Sequence, residues 1–259
     1  MAVFYDAIGS GGQLNSPNLT LIPFNMSWNH TARGGQIAVI AAVSYRIGMT
    51  TSLSGITREV TYGGEPMTSL GVVQWSGLTL ETTTKGAWLE LFGITGVPEG
   101  TSSVMVKIRG GAALTGRIGR GNTISYSGVN GFGTFTSGSG TNTSMSVSSS
   151  ATSASASFAA FTAYGSGIST FNRNTRYQSN VNMALAAGDV DGNGSSQSFT
   201  ATRGGAGEWG ACAVSIQAAD IVATALPVVV DPNTSAIGKR YPRSPSFVRR
   251  SVFRVEPEK

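Results

Sequence analysis

The stretch of residues 86–109, GAWLELFGITGVPEGTSSVMVKIR, constrains the fold more than any other part of the chain. Residues 87–94 are apolar except at Glu90, which is typical of a strand that is covered on both faces. Residues 97–100, VPEG, have proline and glycine where a tight turn favours them. Residues 104–109 then place valine or isoleucine at every second position, as in a strand with one buried face. The stretch therefore predicts a β-hairpin whose first strand lies inside a sheet.

The composition favours strands throughout the chain. Of the 259 residues, 35 are glycine and only 12% are charged, whereas long helices favour alanine, leucine, glutamate and lysine. We therefore expect almost no helix and about ten strands, at the spacing of an antiparallel β-sandwich. In the Ser-rich residues 131–160, period-2 alternation favours two strands over a flexible linker. We expect residues 29–35 to form a turn and the glycine-rich residues 110–121 to form a loop.

Three further sequence features limit the class of protein. The single cysteine excludes an internal disulfide and a site built from several thiolates. The first residues contain no basic region followed by an apolar run, so we expect no secretory signal and synthesis in a cytoplasm. The run of residues 216–230 is interrupted by Asp220 and Pro227 and is too short to cross a bilayer, so we expect no membrane anchor. We also expect no cofactor.

The net charge of +5 is concentrated near the C-terminus. From residue 225 onward there are seven basic and three acidic side chains, whereas the rest of the chain has eleven and ten. A nucleic-acid-binding domain needs a basic face on its folded body, so we expect no nucleic-acid partner. The charge and the prolines divide the chain into a sandwich domain, residues 1–224, and an extended basic arm, residues 225–259.

The arm has a sequence suited to binding neighbouring subunits. Its prolines favour an extended conformation that leaves the sandwich. Residues 246–255, SFVRRSVFRV, are too apolar for a solvated tail and too few for a core of their own. We expect them to add a strand to a neighbour's sheet and to pair arginines with carboxylates. The residues expected to do so are Phe247, Arg249, Arg250, Phe253 and Arg254.

Five motifs occur in an order that is similar to a family of virion proteins. They are WNHTARGGQIAVIAAVSY, VTYGGEPMTSLG, AWLELFGITGVPEGTSSVMVKIRG, ISYSGVN and EWGACAVSIQAA. Over residues 24–219 the chain resembles the minor tail proteins of tailed phages of actinobacteria. The resemblance implies a jelly-roll-like antiparallel β-sandwich without enzymatic activity. The known residues of that family are structural, so the resemblance assigns no active-site residue to this chain. It implies a place in the virion, with copies of itself and other virion proteins as partners. The alternative location is the capsid exterior, where the protein would be a decoration protein.

His30 and Cys212 are the side chains with the clearest catalytic potential. His30 is the only histidine, so a Ser-His-Asp arrangement would have to use it. It follows Trp28 in a predicted turn and has no nucleophile-elbow sequence to accompany it. Cys212 lies between two alanines in a predicted strand, where a thiol is usually a small buried apolar group. We expect both residues to be structural and the protein to have no catalytic residue.

The segment DVDGNG, residues 189–194, matches the opening of a calcium loop. Asp189, Asp191 and Asn193 occupy the first three ligand positions, and a glycine follows them. Position 12 is Thr200, where a calcium loop has glutamate, and the flanking segments are predicted strands. Two interpretations remain open, a calcium site and a polar hairpin turn.

Four tryptophans raise the possibility of carbohydrate binding, since a flat aromatic ring can stack on a sugar. Trp88 and Trp209 lie in strands that are predicted to be core. Trp28 and Trp75 lie at predicted strand ends and are better candidates, although such residues often fill a sandwich interior. A module that binds a host cell-surface glycan is therefore a second functional hypothesis.

Overall fold

The computed structural model describes residues 2–16, 24–48, 52–76, 79–80, 83–110, 117–181 and 183–219. Over these residues it has nineteen β-strands and no helix, so the chain is all-β as its composition predicts. The expected number of about ten strands is too low, because strands of two to six residues carry little periodicity. The strands are β1 (Phe4–Ile8), β2 (Gly12–Ser16), β3 (Phe24–Ala32), β4 (Ile37–Gly48), β5 (Ile56–Tyr62), β6 (Glu65–Pro66), β7 (Thr68–Ser76), β8 (Thr79–Leu80), β9 (Thr83–Val97), β10 (Gly100–Gly110), β11 (Arg117–Ser127), β12 (Val129–Gly140), β13 (Ser144–Ser150), β14 (Ala156–Tyr164), β15 (Ile168–Phe171), β16 (Asn174–Ser179), β17 (Met183–Asp191), β18 (Ser196–Arg203) and β19 (Trp209–Ala218).

The strands form four antiparallel sheets. The first inner sheet has the order β1-β11-β4-β9-β7, with β2 also beside β11 and β8 also beside β9. The first outer sheet has the order β3-β10-β5-β6. The second inner sheet is β12-β19-β14-β17-β16, and the second outer sheet is β13-β18-β15.

Three hydrophobic clusters show how the sheets are stacked. One cluster lies between the first outer and first inner sheets and includes Trp28 and Val43. Another joins the two inner sheets and includes Leu91 and Phe158. The third lies between the second inner and second outer sheets and includes Phe199. The described residues therefore form two β-sandwiches that are stacked through their inner sheets.

The sequence patterns of the strands follow from this stacking. All twelve residues of β4 are buried, because each face of an inner sheet is covered by another sheet. In β18 exposed and buried side chains alternate, because an outer sheet has one face in water. A strand that is apolar on both faces thus belongs to an inner layer, and an alternating strand to an outer one.

The hairpin predicted at residues 86–109 is wrong in its pairing. Both strands are present, as β9 and β10, and a turn connects them. However, β9 pairs with β4 and β7 in the inner sheet, whereas β10 pairs with β3 and β5 in the outer sheet. The turn therefore carries the chain from one sheet of the sandwich to the other. The two-faced pattern of β9 and the one-faced pattern of β10 already reflect these different layers.

The two sandwiches have the same strand order. The eight main strands of the first are β1, β3, β4, β5, β7, β9, β10 and β11, and those of the second are β12 to β19. Numbered from one to eight within each sandwich, both have an inner sheet of order 1-8-3-6-5 and an outer sheet that contains 2-7-4. The described chain is thus a tandem structural duplication in which corresponding strands begin about 90 to 125 residues apart.

Other boundaries differ from the expectations in part. The turn predicted at residues 29–35 begins later, because β3 continues to Ala32. The loop predicted at residues 110–121 ends earlier, because β11 begins at Arg117. The strand interpretation of residues 131–160 is confirmed, since β12, β13 and β14 occupy most of them. All described residues belong to one compact unit, Met1–Ile221, and the second unit, Val222–Lys259, lies outside them.

Several glycines lie within strands and not in turns. An aromatic ring packs directly on each of them and leaves no room for a Cβ atom. A Cβ added at Gly121 would lie 2.7 Å from the Trp28 ring, and one added at Gly210 would lie 2.6 Å from Trp75. The Phe132 ring covers Gly93 in the same way. Much of the glycine content thus makes room for rings between and beside the sheets.

Candidate functional site

His30 lies in the buried interior of the first sandwich. It is 1% exposed and belongs to β3, not to a turn. Its Nδ1 is 3.0 Å from the Oγ1 of Thr123, and its Nε2 is 2.9 Å from the Oγ of Ser125. The Ser125 hydroxyl donates to the Asp6 carboxylate at 2.7 Å, so Nε2 must carry the ring proton and Nδ1 must accept from Thr123. Burial lowers the pKa of His30, which favours this neutral form.

This arrangement is not that of a catalytic triad. In a triad the imidazole lies between the serine and the aspartate, whereas here Ser125 lies between His30 and Asp6. The Thr123 hydroxyl also accepts a hydrogen bond from the Trp28 indole at 2.9 Å, so both ends of the imidazole belong to a satisfied network. The alternation that places Trp28 and His30 on one face of β3 is a signal of this burial.

Cys212 is fully buried in the cluster that joins the two inner sheets. Its Sγ lies 3.5 Å from the carbonyl oxygen of Leu89. Burial raises the pKa of the thiol far above its ordinary value, so the thiolate that a nucleophile needs is disfavoured.

The proposed calcium ligands do not converge. Asp189 is 4% exposed and accepts two hydrogen bonds from Arg176, at 2.8 and 3.0 Å, and one from the Tyr126 hydroxyl at 2.9 Å. The Asp191 side chain is exposed, and the Asn193 Oδ1 accepts from the backbone N–H of Ser195. The described residues contain no group of three or more His, Cys, Asp or Glu side chains that could hold a metal ion.

The turn between β17 and β18 is polar but does not close a hairpin. β17 belongs to the second inner sheet and β18 to the second outer sheet, so the turn crosses between sheets. The hairpin interpretation is therefore wrong, for the same reason as at residues 86–109. The calcium hypothesis stays a prediction, and it would require Asp189 to leave Arg176.

All four tryptophans are buried. Trp28 and Trp209 are 5% exposed, Trp75 is 4% exposed and Trp88 is 1% exposed. The expectation that Trp28 and Trp75 could present a ring to a sugar is therefore wrong, because both rings pack against glycines in the interior. The residues of the expected assembly arm, Phe247, Arg249, Arg250, Phe253 and Arg254, lie outside the described residues.

Glu90, the polar exception in an apolar strand, is completely buried. Its carboxylate accepts hydrogen bonds from Ser69 at 2.7 Å and from the Tyr45 hydroxyl at 3.2 Å, and the Nε of Arg58 lies 3.0 Å away. Burial raises the pKa of this carboxyl, while its partners oppose the shift. The sequence marks Glu90 as unusual, but its partners come from three other strands.

A surface groove at one end of the first sandwich, bordered by β12 of the second, is the candidate binding site. It consists of two adjoining clefts with volumes of about 400 and 380 Å³, which share Pro66, Ile94 and Thr95. We call it the edge groove. Its lining residues are Tyr62, Gly63, Glu65, Pro66, Thr68, Leu70, Gly93, Ile94, Thr95, Gly96, Val97, Pro98, Ser102, Gly131 and Phe132.

The floor of the edge groove is an incompletely paired strand. In the described residues, β9 pairs with β4 as far as Val97, but its pairing with β7 begins only at Gly93. The reason is that the chain before β7 belongs to the other sheet, where β6 pairs with β5. Residues 94–97 of β9 therefore have one paired edge and one edge that faces the groove.

The walls of the edge groove combine apolar and polar side chains. Leu70, Ile94 and Phe132 supply partly buried apolar surface. The Tyr62 hydroxyl is buried beneath the groove, beside Ser102. Sequence reasoning missed this site, because the groove depends on where β7 begins relative to β9.

The described part of the chain offers no helical segment with the length and hydrophobicity that a membrane crossing requires. No protein-family model, no curated protein and no solved structure matches this chain.

Proposed function

We propose that this protein is a non-enzymatic structural component of a bacteriophage virion, in the tail or at the tail tip. The observation that carries the proposal is the enclosure of the two side chains with catalytic potential. His30 uses both ring nitrogens in a buried network, and Cys212 is a buried neutral thiol. Together with the motifs that resemble minor tail proteins, this favours a structural role.

The strand order supports the jelly-roll-like fold that the resemblance implies. A jelly roll winds eight strands into two sheets through two Greek keys. Each sandwich has eight main strands, with 1-8-3-6 adjacent in one sheet and 2-7-4 adjacent in the other. We infer that each sandwich is a jelly roll in which the fifth strand has joined the inner sheet.

The test is to locate the protein in purified phage particles. Mass spectrometry should detect it, and a cryo-electron microscopy map should place its paired sandwiches in the tail. Density on the head would instead favour the alternative of a capsid decoration protein. Absence of the protein from infectious particles would contradict both versions of the proposal.

A carbohydrate-binding role is the second candidate, and the edge groove is the observation that favours it. With Trp28 and Trp75 buried, a sugar would have to use the Glu65, Thr95 and Ser102 side chains of this groove. A glycan array tests this role directly. Binding that is lost in Thr95→Arg, at the groove, and retained in Ser103→Arg, on the exposed face of the first outer sheet, would support it.

A further inference from the structure

The edge groove has the features of a receptor for one extended peptide. Alternate residues of an unpaired strand edge direct their backbone N–H and C=O groups outward, where another strand can pair with them. Residues 94–97 present such an edge for about 13 Å.

The chemistry of the groove indicates which peptide fits. Glu65 lies in its lining, and Glu99 is exposed directly beyond the lining residue Pro98. No lysine or arginine lines either cleft. Apolar surface from Leu70 and Phe132 completes the wall on the other side of residues 94–97. A suitable strand therefore combines aromatic or aliphatic side chains with cationic ones.

A segment of this chain has that combination of side chains. In residues 246–255 taken as a strand, Phe247, Phe253 and Val255 share one face with Arg249, and Arg250 and Arg254 share the other with two valines. The segment contains three arginines and no carboxylate, so its charge is complementary to that of the groove. Between Ala219 and the segment there are enough residues to span about 90 Å when extended, which allows it to reach another molecule.

We propose that the edge groove binds residues 246–255 of a neighbouring copy of this protein, as an added strand beside β9. The inference rests on the proposed assembly role and specifies its receptor. Backbone hydrogen bonds to residues 94–97 hold the incoming strand, and the arginines pair with Glu65 and Glu99.

Disulfide trapping between two full-length variants tests the proposal. One variant carries Thr95→Cys in the groove and the other carries Ser251→Cys in the arm, while the native Cys212 is buried and does not compete. With oxidised glutathione as the oxidant, a bound arm raises the local thiol concentration from about 10 μM to about 1 mM, so the interchain disulfide should form about 100-fold faster than in a control pair. The control replaces Thr95→Cys with Ser103→Cys, which is exposed but outside the groove.

Three further variants examine the recognition itself. Val252→Pro and Phe253→Pro each remove one backbone donor of the arm. Because successive N–H groups of a strand point to opposite edges, one of the two variants should reduce trapping at Thr95→Cys to the rate of the control. Glu65→Lys combined with Glu99→Lys should also slow trapping, and more strongly at low salt. Equal rates at the two cysteine positions, or trapping that survives both proline substitutions, would overturn the proposal.

A chain that carries both Thr95→Cys and Ser251→Cys identifies the copy that supplies the arm. We expect disulfide-linked dimers and larger oligomers from this variant. A disulfide that forms only within one chain would overturn the neighbouring copy as the source of the strand. Trapping can succeed even if the protein is absent from phage particles, so this experiment and the particle test fail independently.

Discussion

The ion pair between Asp189 and Arg176 gives the most informative prediction about stability. The change is Asp189→Asn, which preserves shape but removes the charge that Arg176 and the Tyr126 hydroxyl contact. Breaking a fully buried pair costs about 3–5 kcal/mol. Because the Arg176 side chain is 26% exposed, water offsets part of the loss, and we expect about 2–3 kcal/mol.

The assay is thermal unfolding followed by circular dichroism, with and without EDTA. For a domain of this size, the expected loss lowers the Tm by about 4–12 °C. The matched control is Asp191→Asn, whose exposed side chain should contribute less than about 0.5 kcal/mol.

Two results would refute this reasoning. Equal effects of the two substitutions would show that the contacts with Arg176 and Tyr126 do not stabilise the fold. A drop in the wild-type Tm on addition of EDTA would favour calcium, since a site held at 100 times its Kd adds about 2.7 kcal/mol.

Three further predictions concern burial and packing. Burial lowers the pKa of His30, so on acidification the unfolded chain binds the proton first. The His30 contribution to the free energy of unfolding should be constant above about pH 6.5, fall as the pH drops from there to the lowered pKa, and level off below it. Urea denaturation should therefore show a smaller decrease over this range in His30→Gln. Cys212 should not react with Ellman's reagent until the protein unfolds, so reaction in native buffer would contradict its burial. Gly93→Ala forces a methyl group into the Phe132 ring and should cost about 1–3 kcal/mol in denaturant unfolding, whereas Gly35→Ala, with open space around it, should be close to neutral.

The candidate site illustrates the limit of sequence reasoning about function. The sequence identifies His30, Cys212 and the DVDGNG segment as residues with chemical potential, because residue type and spacing are local properties. Their contacts are not local: His30 meets Thr123 and Ser125 across more than 90 residues. The edge groove is harder still to predict, since it exists where β9 extends past the start of β7 and no residue type marks that point.

The strand content of this protein was determined by the sequence itself. Side chains alternate with a period of two along any strand, so the doubly apolar β4 and the alternating β18 could be identified from neighbouring residues alone. Only the tertiary structure decided which strands pair. The turn after β9 has the residues of a hairpin, yet it joins two layers. β4 and β7 pair with the two edges of β9, while β10 belongs to the outer sheet that covers one of its faces. The second inner sheet covers the other face, and this arrangement depends on residues far away in the sequence.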